Sequence, residues 1–177
     1  MSETATDREP FRAWMNLLQA QAVVSEALEA RLQAEVDLSL AEHEALARLS
    51  AAEEGRFKMA ELASLMLVSK SGVTRLIDRL QERHLVDRVT CPTDRRVTYA
   101  EITADGRRAL DQANPVLEAG LAYSFGRHLG SGDVRTLRRS LRRVLEGNGK
   151  WEEERCSGLF RDGPRGAEPT ASGPSAG

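Results

Sequence analysis

The sequence predicts a mainly α fold, built as a winged helix-turn-helix with a small β-wing between N- and C-terminal helices. Three observations predict it. Val73, Leu76, Ile77 and Leu80 recur at i, i+3, i+4 and i+7, the spacing of one buried helix face. Just before them, a short apolar helix near Ala60 to Leu67 leads into a turn at Ser69. Just after them come two runs rich in β-branched residues, Val86 to Thr90 and Val97 to Ile102, separated by CPTDRR. The composition agrees, since aromatics make up only 5% of a chain that is 41% hydrophobic.

At 177 residues the chain has room for one domain with an appended tail. No apolar run reaches the ~18 residues needed to span a membrane. The opening MSETATDREP is polar and acidic, unlike a secretory signal, so a cytoplasmic protein is expected. Cys91 and Cys156 are too few for a disulfide framework. The net charge of −2 is unevenly spread. Residues 1–55 carry 4 basic and 11 acidic groups, residues 56–96 carry 9 and 5, and residues 97–147 carry 8 and 6. Positive charge therefore collects on the helix-turn-helix, where local potential steers a polyanion.

In chain order, residues 1–9 read as a flexible end. A first helix runs from about Pro10 to Ala34, with proline at a tolerated starting position. Phe11, Trp14, Met15, Leu18, Ala22, Leu28 and Leu32 form its apolar stripe. The next helix, about Leu40 to Ala52, opens on Ser39 and Glu42, the spacing of a capping box. Leu40, Leu46 and Leu49 face inward. Arg56, Phe57 and Lys58 form a short strand that completes the wing sheet, and Lys58 is placed for a phosphate contact. Leu62, Ala63 and Met66 are the inner face of the short helix.

The second helix of the motif spans roughly Ser69 to Arg83. Ser69 or Ser71 can cap it. Its outward face presents Lys70, Ser71, Thr74, Arg75, Asp78 and Arg79 around the small Gly72. Arg and Lys suit guanine O6 and N7, and Ser and Thr suit several base edges. A helix N-terminus adds backbone donors for a phosphate. A short helix, a tight turn and a cationic second helix form the pattern in which the second helix enters the major groove. Arg95 and Arg96 stand at the wing tip, where an arginine can enter the minor groove. Asp94 orients one of them by a charge-assisted hydrogen bond.

AELASLMLVSKSGVTRLIDRLQERHLVDR followed by PTDRRVTYAEITADGRRAL resembles the MarR family of winged-helix transcription regulators. The resemblance covers about residues 10 to 147, with a DNA-binding core at about 39–103 and dimerisation helices at about 10–34 and 104–147. It implies a homodimer that binds a pseudo-palindromic operator on double-stranded DNA, and a repressor released when a small-molecule effector binds between the dimerisation helices and the winged domain. Trp14, Met15 and His43 are the residues expected to line that effector site. His43 also reads as a satisfied structural histidine. Two positions depart from the family pattern. His84 stands where the family has glycine after the recognition helix, a site that wants positive φ, so the helix exit is expected to differ slightly. Cys91 replaces the acidic residue that opens the wing, which removes one brace from its tip.

After the wing, Thr103 caps a long helix, about Ala104 to Leu129, that Pro115 is expected to kink or break. Ser131 or Asp133 caps a last helix, about Asp133 to Glu146, that buries Val134, Leu137, Leu141, Val144 and Leu145. Its other face carries Arg135, Arg138, Arg139, Arg142 and Arg143. These arginines read either as a second DNA contact or as a solvated face that pairs with the acidic N-terminal region across a dimer. Neither terminal helix has a partner within so short a chain, and pairing the two ends buries both. Residues 148–177 are rich in Gly, Pro and Ser and read as a disordered tail.

No phosphate-binding glycine motif, nucleophile motif or metal-ligand spacing is present, so an enzyme, a cofactor and a metal are not expected. Cys91 reads as a tolerated surface cysteine or as a thiol switch whose thiolate Arg95 and Arg96 favour. Besides DNA-directed regulation, a winged helix can serve as a protein-interaction module or a sequence-blind architectural DNA binder. Exposed Ser, Lys, Thr and Arg argue against the protein-binding form, whose face would show more large apolar residues.

Overall fold

A computed structural model describes residues 8–91 and 93–149; the expectations for the remaining N-terminus, for Pro92, for Cys156 and for the tail beyond Gly149 lie outside the described residues. Six α-helices and three strands follow one another as α1 (Glu9–Val36), α2 (Leu40–Ala51), β1 (Arg56–Lys58), α3 (Met59–Leu65), α4 (Lys70–Glu82), β2 (Val86–Thr90), β3 (Thr98–Ile102), α5 (Ala104–Ser124) and α6 (Ser131–Gly147). The architecture is mainly helical with one small antiparallel sheet, as the sequence predicts. The strands are ordered β1-β3-β2. Phe57 pairs with Ala100 across one seam and Arg88 with Ala100 across the other.

The core is shared by α2, α3, α4 and the sheet on one side, and by α5 with the C-terminal half of α1 on the other, α2 touching both. Leu32, Leu38, Leu46, Leu49, Leu62, Ile77, Leu80 and Val86 are fully buried. Each such leucine removed from water contributes about 2 kcal/mol. The capping box of α2 is complete, because Ser39 Oγ accepts from Glu42 N–H and Glu42 Oε2 accepts from Ser39 N–H. A third cap comes from α1, where Glu29 Oε2 accepts from Leu40 N–H at 2.6 Å.

Two expectations are corrected, the burial of the α6 stripe within the chain and a break at Pro115. The stripe of α1 is core only at Leu28 and Leu32; residues 8–23 are all exposed, with Phe11 at 65%. In α6, Val134, Leu137, Leu141, Val144 and Leu145 are not buried, because α6 leaves the body of the chain and packs substantially on no other described element. Of the two residues expected to cap α6, Asp133 does so, reaching back to accept from Gly130 N–H at 2.9 Å, while Gly130 and not Ser131 is the N-cap. Pro115 does not break α5, which runs unbroken across it and ends instead at Ser124, before a 3-10 turn at Gly126–His128. The lost hydrogen bond at Pro115 is outweighed by packing, since Ala113 and Leu117 on either side of it are buried and α5 lies along α1.

The exits of α3 and α4 repeat one device. After α4, His84 N–H donates to Gln81 O and Leu85 N–H to Leu80 O, both at 2.9 Å, with His84 at φ 59°. After α3, Leu67 N–H donates to Ser64 O and Val68 N–H to Ala63 O, with Leu67 at φ 56°. Both are Schellman endings, which place a residue in the left-handed region and usually employ glycine. The exit from α4 is thus the left-handed one despite the histidine, and the expected deviation there is not found. Leu80 and Leu85, both buried, supply the apolar contact that accompanies the motif.

Candidate nucleic-acid interface

The inner face of α4 is sealed, with Val73, Leu76, Ile77 and Leu80 all buried. That fixes which residues face out. Ser69 is the cap, accepting from Gly72 N–H at 3.0 Å, and its oxygen lies 3.1 Å from Ser71 Oγ. Lys70, Ser71, Thr74 and Arg75 are exposed on the first two turns. Thr74 donates its hydroxyl hydrogen to Lys70 O at 2.8 Å, so toward a ligand it offers lone pairs and not a donor. Lys70 and Arg75 have no side-chain partner among the described residues. The face therefore presents two uncommitted cations and a capped helix N-terminus.

The wing stands beside it. Asp94 Oδ1 accepts from Arg96 N–H at 3.0 Å and lies 3.5 Å from Arg96 Nε, so Arg96 is the arginine that Asp94 orients. Val97 N–H closes the tip by donating to Asp94 O at 2.9 Å. Arg95 is exposed at the tip and has no partner among the described residues.

Between α3, α4 and the wing lies a cleft of 430 Å³ whose lining includes Lys58, Thr74, Arg88, Arg96, Val97 and Thr98. Lys58 Nζ is paired with Glu61 at 3.0 Å and remains half-exposed, and that carboxylate holds its pKa above the ordinary value. Arg88 is a residue that sequence reasoning missed. Its Nη2 reaches Asp78 Oδ1 at 2.7 Å and donates to Thr74 O at 3.1 Å, which ties strand β2 to the middle of α4. Its Nε–H is buried with no acceptor among the described residues. The signal available in sequence was only an arginine in a strand, and nothing there links it to Asp78.

Arg79 is placed differently from its neighbours on α4. Its side chain is more than half exposed, but its Nε lies 3.5 Å from the buried Glu42 of α2. Cys91 is half-buried below the wing tip, and its thiol pKa is lowered. The first cause is the Thr93 hydroxyl, and the backbone amides of Thr93 and Asp94 follow. The arginines expected to favour the thiolate are not among the causes.

The three residues read as an effector site have separate surroundings. Trp14 and Met15 are exposed on α1. His43 is buried on α2, where Nε2–H donates to Asn114 Oδ1 of α5 at 2.9 Å. Burial lowers its pKa below 6.5, against the opposing pull of Asn114 and Glu44. The native imidazole then holds fewer protons than the unfolded one once the pH is below 6.5, so stability present above that pH falls as the pH drops toward the folded value. We expect His43→Gln to lose less stability than the unsubstituted protein between pH 7.5 and 5, by up to about 1.4 kcal/mol per pH unit in the window. Identical pH dependence of the melting midpoints would show that His43 does not carry this linkage.

No group of three or more His, Cys, Asp or Glu among the described residues is arranged to hold a metal, and no described helix is long and apolar enough to cross a membrane. A family model described as MarR family matches residues 36–97. Among curated proteins, the transcriptional regulator MhqR of Bacillus subtilis is 32% identical over 62 residues, covering 35% of this chain and 43% of that protein. The chain thus spans less than half the length of that relative. Among solved structures, AbsC, a MarR family transcriptional regulator from Streptomyces coelicolor, superposes with a TM-score of 0.73 at 28% identity, covering 85% of this chain and 99% of AbsC. Sco3205, another MarR family regulator from that organism, solved in complex with DNA, superposes with a TM-score of 0.72 at 24% identity over 76% of this chain and 84% of its own.

Proposed function

We propose that this chain, whose residues 36–97 match the MarR family model and whose fold resembles that of AbsC, is a homodimeric, sequence-specific DNA-binding transcription regulator of that family. The observation that carries the reading is the outward face of α4. Its inner residues are sealed in the core while Lys70 and Arg75 stand free, with the exposed Ser71 between cap and base-facing surface, beside a wing tipped by Arg95. α4 enters the major groove, and Lys70, Ser71, Thr74 and Arg75 meet base edges there. Ser69 and Gly72 keep the helix N-terminus open toward a phosphate. Arg95 enters the minor groove, steadied by Asp94 and Arg96, and Lys58 meets the flanking backbone. Sco3205 was solved with DNA bound, which supports the same use of the same fold.

The homodimer is supported by two unpartnered apolar surfaces, the first half of α1 with Phe11, Trp14 and Leu18, and the stripe of α6 with Val134 and Val144. A monomer leaving both in water forgoes several kcal/mol of burial, of the order of 1.5 per large side chain. A two-fold dimer requires an operator with two half-sites roughly 10 bp apart. Repression relieved by a small molecule, with Trp14, Met15 and His43 near the effector, completes the reading. Selection of duplexes from a random pool, followed by titration across a salt series, tests it. A selected pseudo-palindrome bound by one dimer is expected, and failure to enrich any sequence contradicts it.

A further inference from the structure

The first turn of α2 holds a carboxylate that the DNA-facing surface does not use. Glu42 is buried, with its side chain 8% exposed. Oε2 accepts from Ser39 N–H at 2.9 Å and lies 3.6 Å from Arg83 Nη1, while Oε1 lies 3.5 Å from Arg79 Nε. Arg83 also reaches Asp37 Oδ2 at 3.3 Å, at the left-handed corner between α1 and α2. Arg79 and Arg83 lie one helical turn apart on the far end of α4 from the bases.

We infer that Glu42 is a positioning residue for DNA recognition. It holds the recognition helix through two arginines against the α1–α2 corner, and so sets the angle at which Lys70, Ser71 and Arg75 are presented. The inference rests on the DNA-binding reading above. Its physical basis is the difference between the two kinds of contact that α4 makes with the body. Val73, Leu76, Ile77 and Leu80 bury area, and burial is non-directional. A carboxylate removed from water is attracted to two guanidinium groups at fixed positions, 3.5 and 3.6 Å away, and this ties α4 to two points where apolar packing has none. The two arginines attach one turn apart, so the pair resists both rolling and tilting of α4. Arg79 keeps a side chain 55% exposed while its Nε is tethered to Glu42, so it belongs to the mount as well as to the outer surface of α4.

The test separates this role from simple electrostatics, which predicts the opposite sign. Glu42 is acidic, so removing its charge should strengthen binding to any polyanion. The probes are a duplex that the unsubstituted protein selects from a random pool, and a scrambled duplex of the same composition. If no duplex is selected, the DNA-binding reading itself fails, and that result is obtained before any variant is made. Glu42→Gln keeps an oxygen for Ser39 N–H and so keeps the cap. Affinities are expressed per binding-competent dimer, from stoichiometric titration, so that partial unfolding does not count as weakened recognition.

Glu42→Gln is expected to bind the selected duplex about tenfold more weakly, within the range of measured couplings between contacting residues. The scrambled duplex should change little, and the salt slope should stay the same because no phosphate contact is lost. Added to Arg79→Gln/Arg83→Gln, Glu42→Gln should cause no further loss. Stronger binding to both duplexes, unchanged selectivity, or a full additional loss in the arginine-free background would each overturn the inference.

Discussion

Arg75→Ala is expected to weaken binding to the selected operator by about 1–3 kcal/mol, roughly 5- to 150-fold, and to relax base preference at one position of each half-site. The reasoning starts from the helix. Arg75 follows Thr74 on the second turn of α4, exposed and without a partner among the described residues. Its fork of donors matches guanine O6 and N7. An uncommitted guanidinium spends nothing on breaking an internal ion pair when it meets a base, unlike Arg79, which would first have to leave Glu42. The same substitution should cost far less on scrambled DNA, where only charge is lost. Equal losses on both duplexes would remove Arg75 from base recognition and leave it a phosphate contact.

The second large effect concerns the joint that mounts α4. Gly106→Ala is expected to destabilise the fold by about 3 kcal/mol. A Cβ at Gly106 would stand 2.1 Å from Leu85 O and 2.9 Å from Ile102 Cγ1. Leu85 O cannot move away freely, because it accepts from Thr103 N–H at 3.1 Å. Thr103 in turn donates its hydroxyl hydrogen to His84 O at 2.8 Å and accepts from Gly106 N–H at 2.9 Å. Three elements, the exit of α4, the end of β3 and the start of α5, are thus closed around a position with no room for a methyl group. Alanine gains up to about 1 kcal/mol in helix propensity, which is smaller than the clash and does not reverse the sign. Thermal melting checks this, and a midpoint unchanged from that of the unsubstituted protein would mean that the joint yields easily. Gly106 lies away from the outward face of α4, so any loss of DNA binding in this variant should follow its loss of fold.

Features set by local sequence were legible before any coordinates. Ser39 with Glu42, the buried quartet of α4, the Ser69 cap and the Asp94–Arg96 contact each depend on residues a few positions apart, where helical or turn geometry dictates who meets whom. Features that depend on two distant segments were not. Glu42 meets Arg79 across 37 positions, and Arg88 meets Asp78 from a different element. Periodicity could not reveal either pairing, because the charge pattern of α4 is the same whether an arginine faces solvent or α2. Reading α6 as buried failed for a related reason. An apolar stripe states that a partner is needed without stating which chain supplies it, and no other described element of this chain does. Pro115 shows the limit of a local rule, since the packing of α5 along α1 carries the helix across a residue that propensity alone would make its end.

One measurement bears most directly on the central claim: titration of the protein onto its selected duplex and onto a scrambled one across a salt series, with the stoichiometry determined. The account predicts one dimer per pseudo-palindromic site, affinity of the order of 10 nM at physiological salt, at least a thousandfold preference over the scrambled duplex, and a steep fall of affinity with salt. Weak binding that treats both duplexes alike at every salt concentration would contradict it, and would leave α4 as a helix that carries charge without reading sequence.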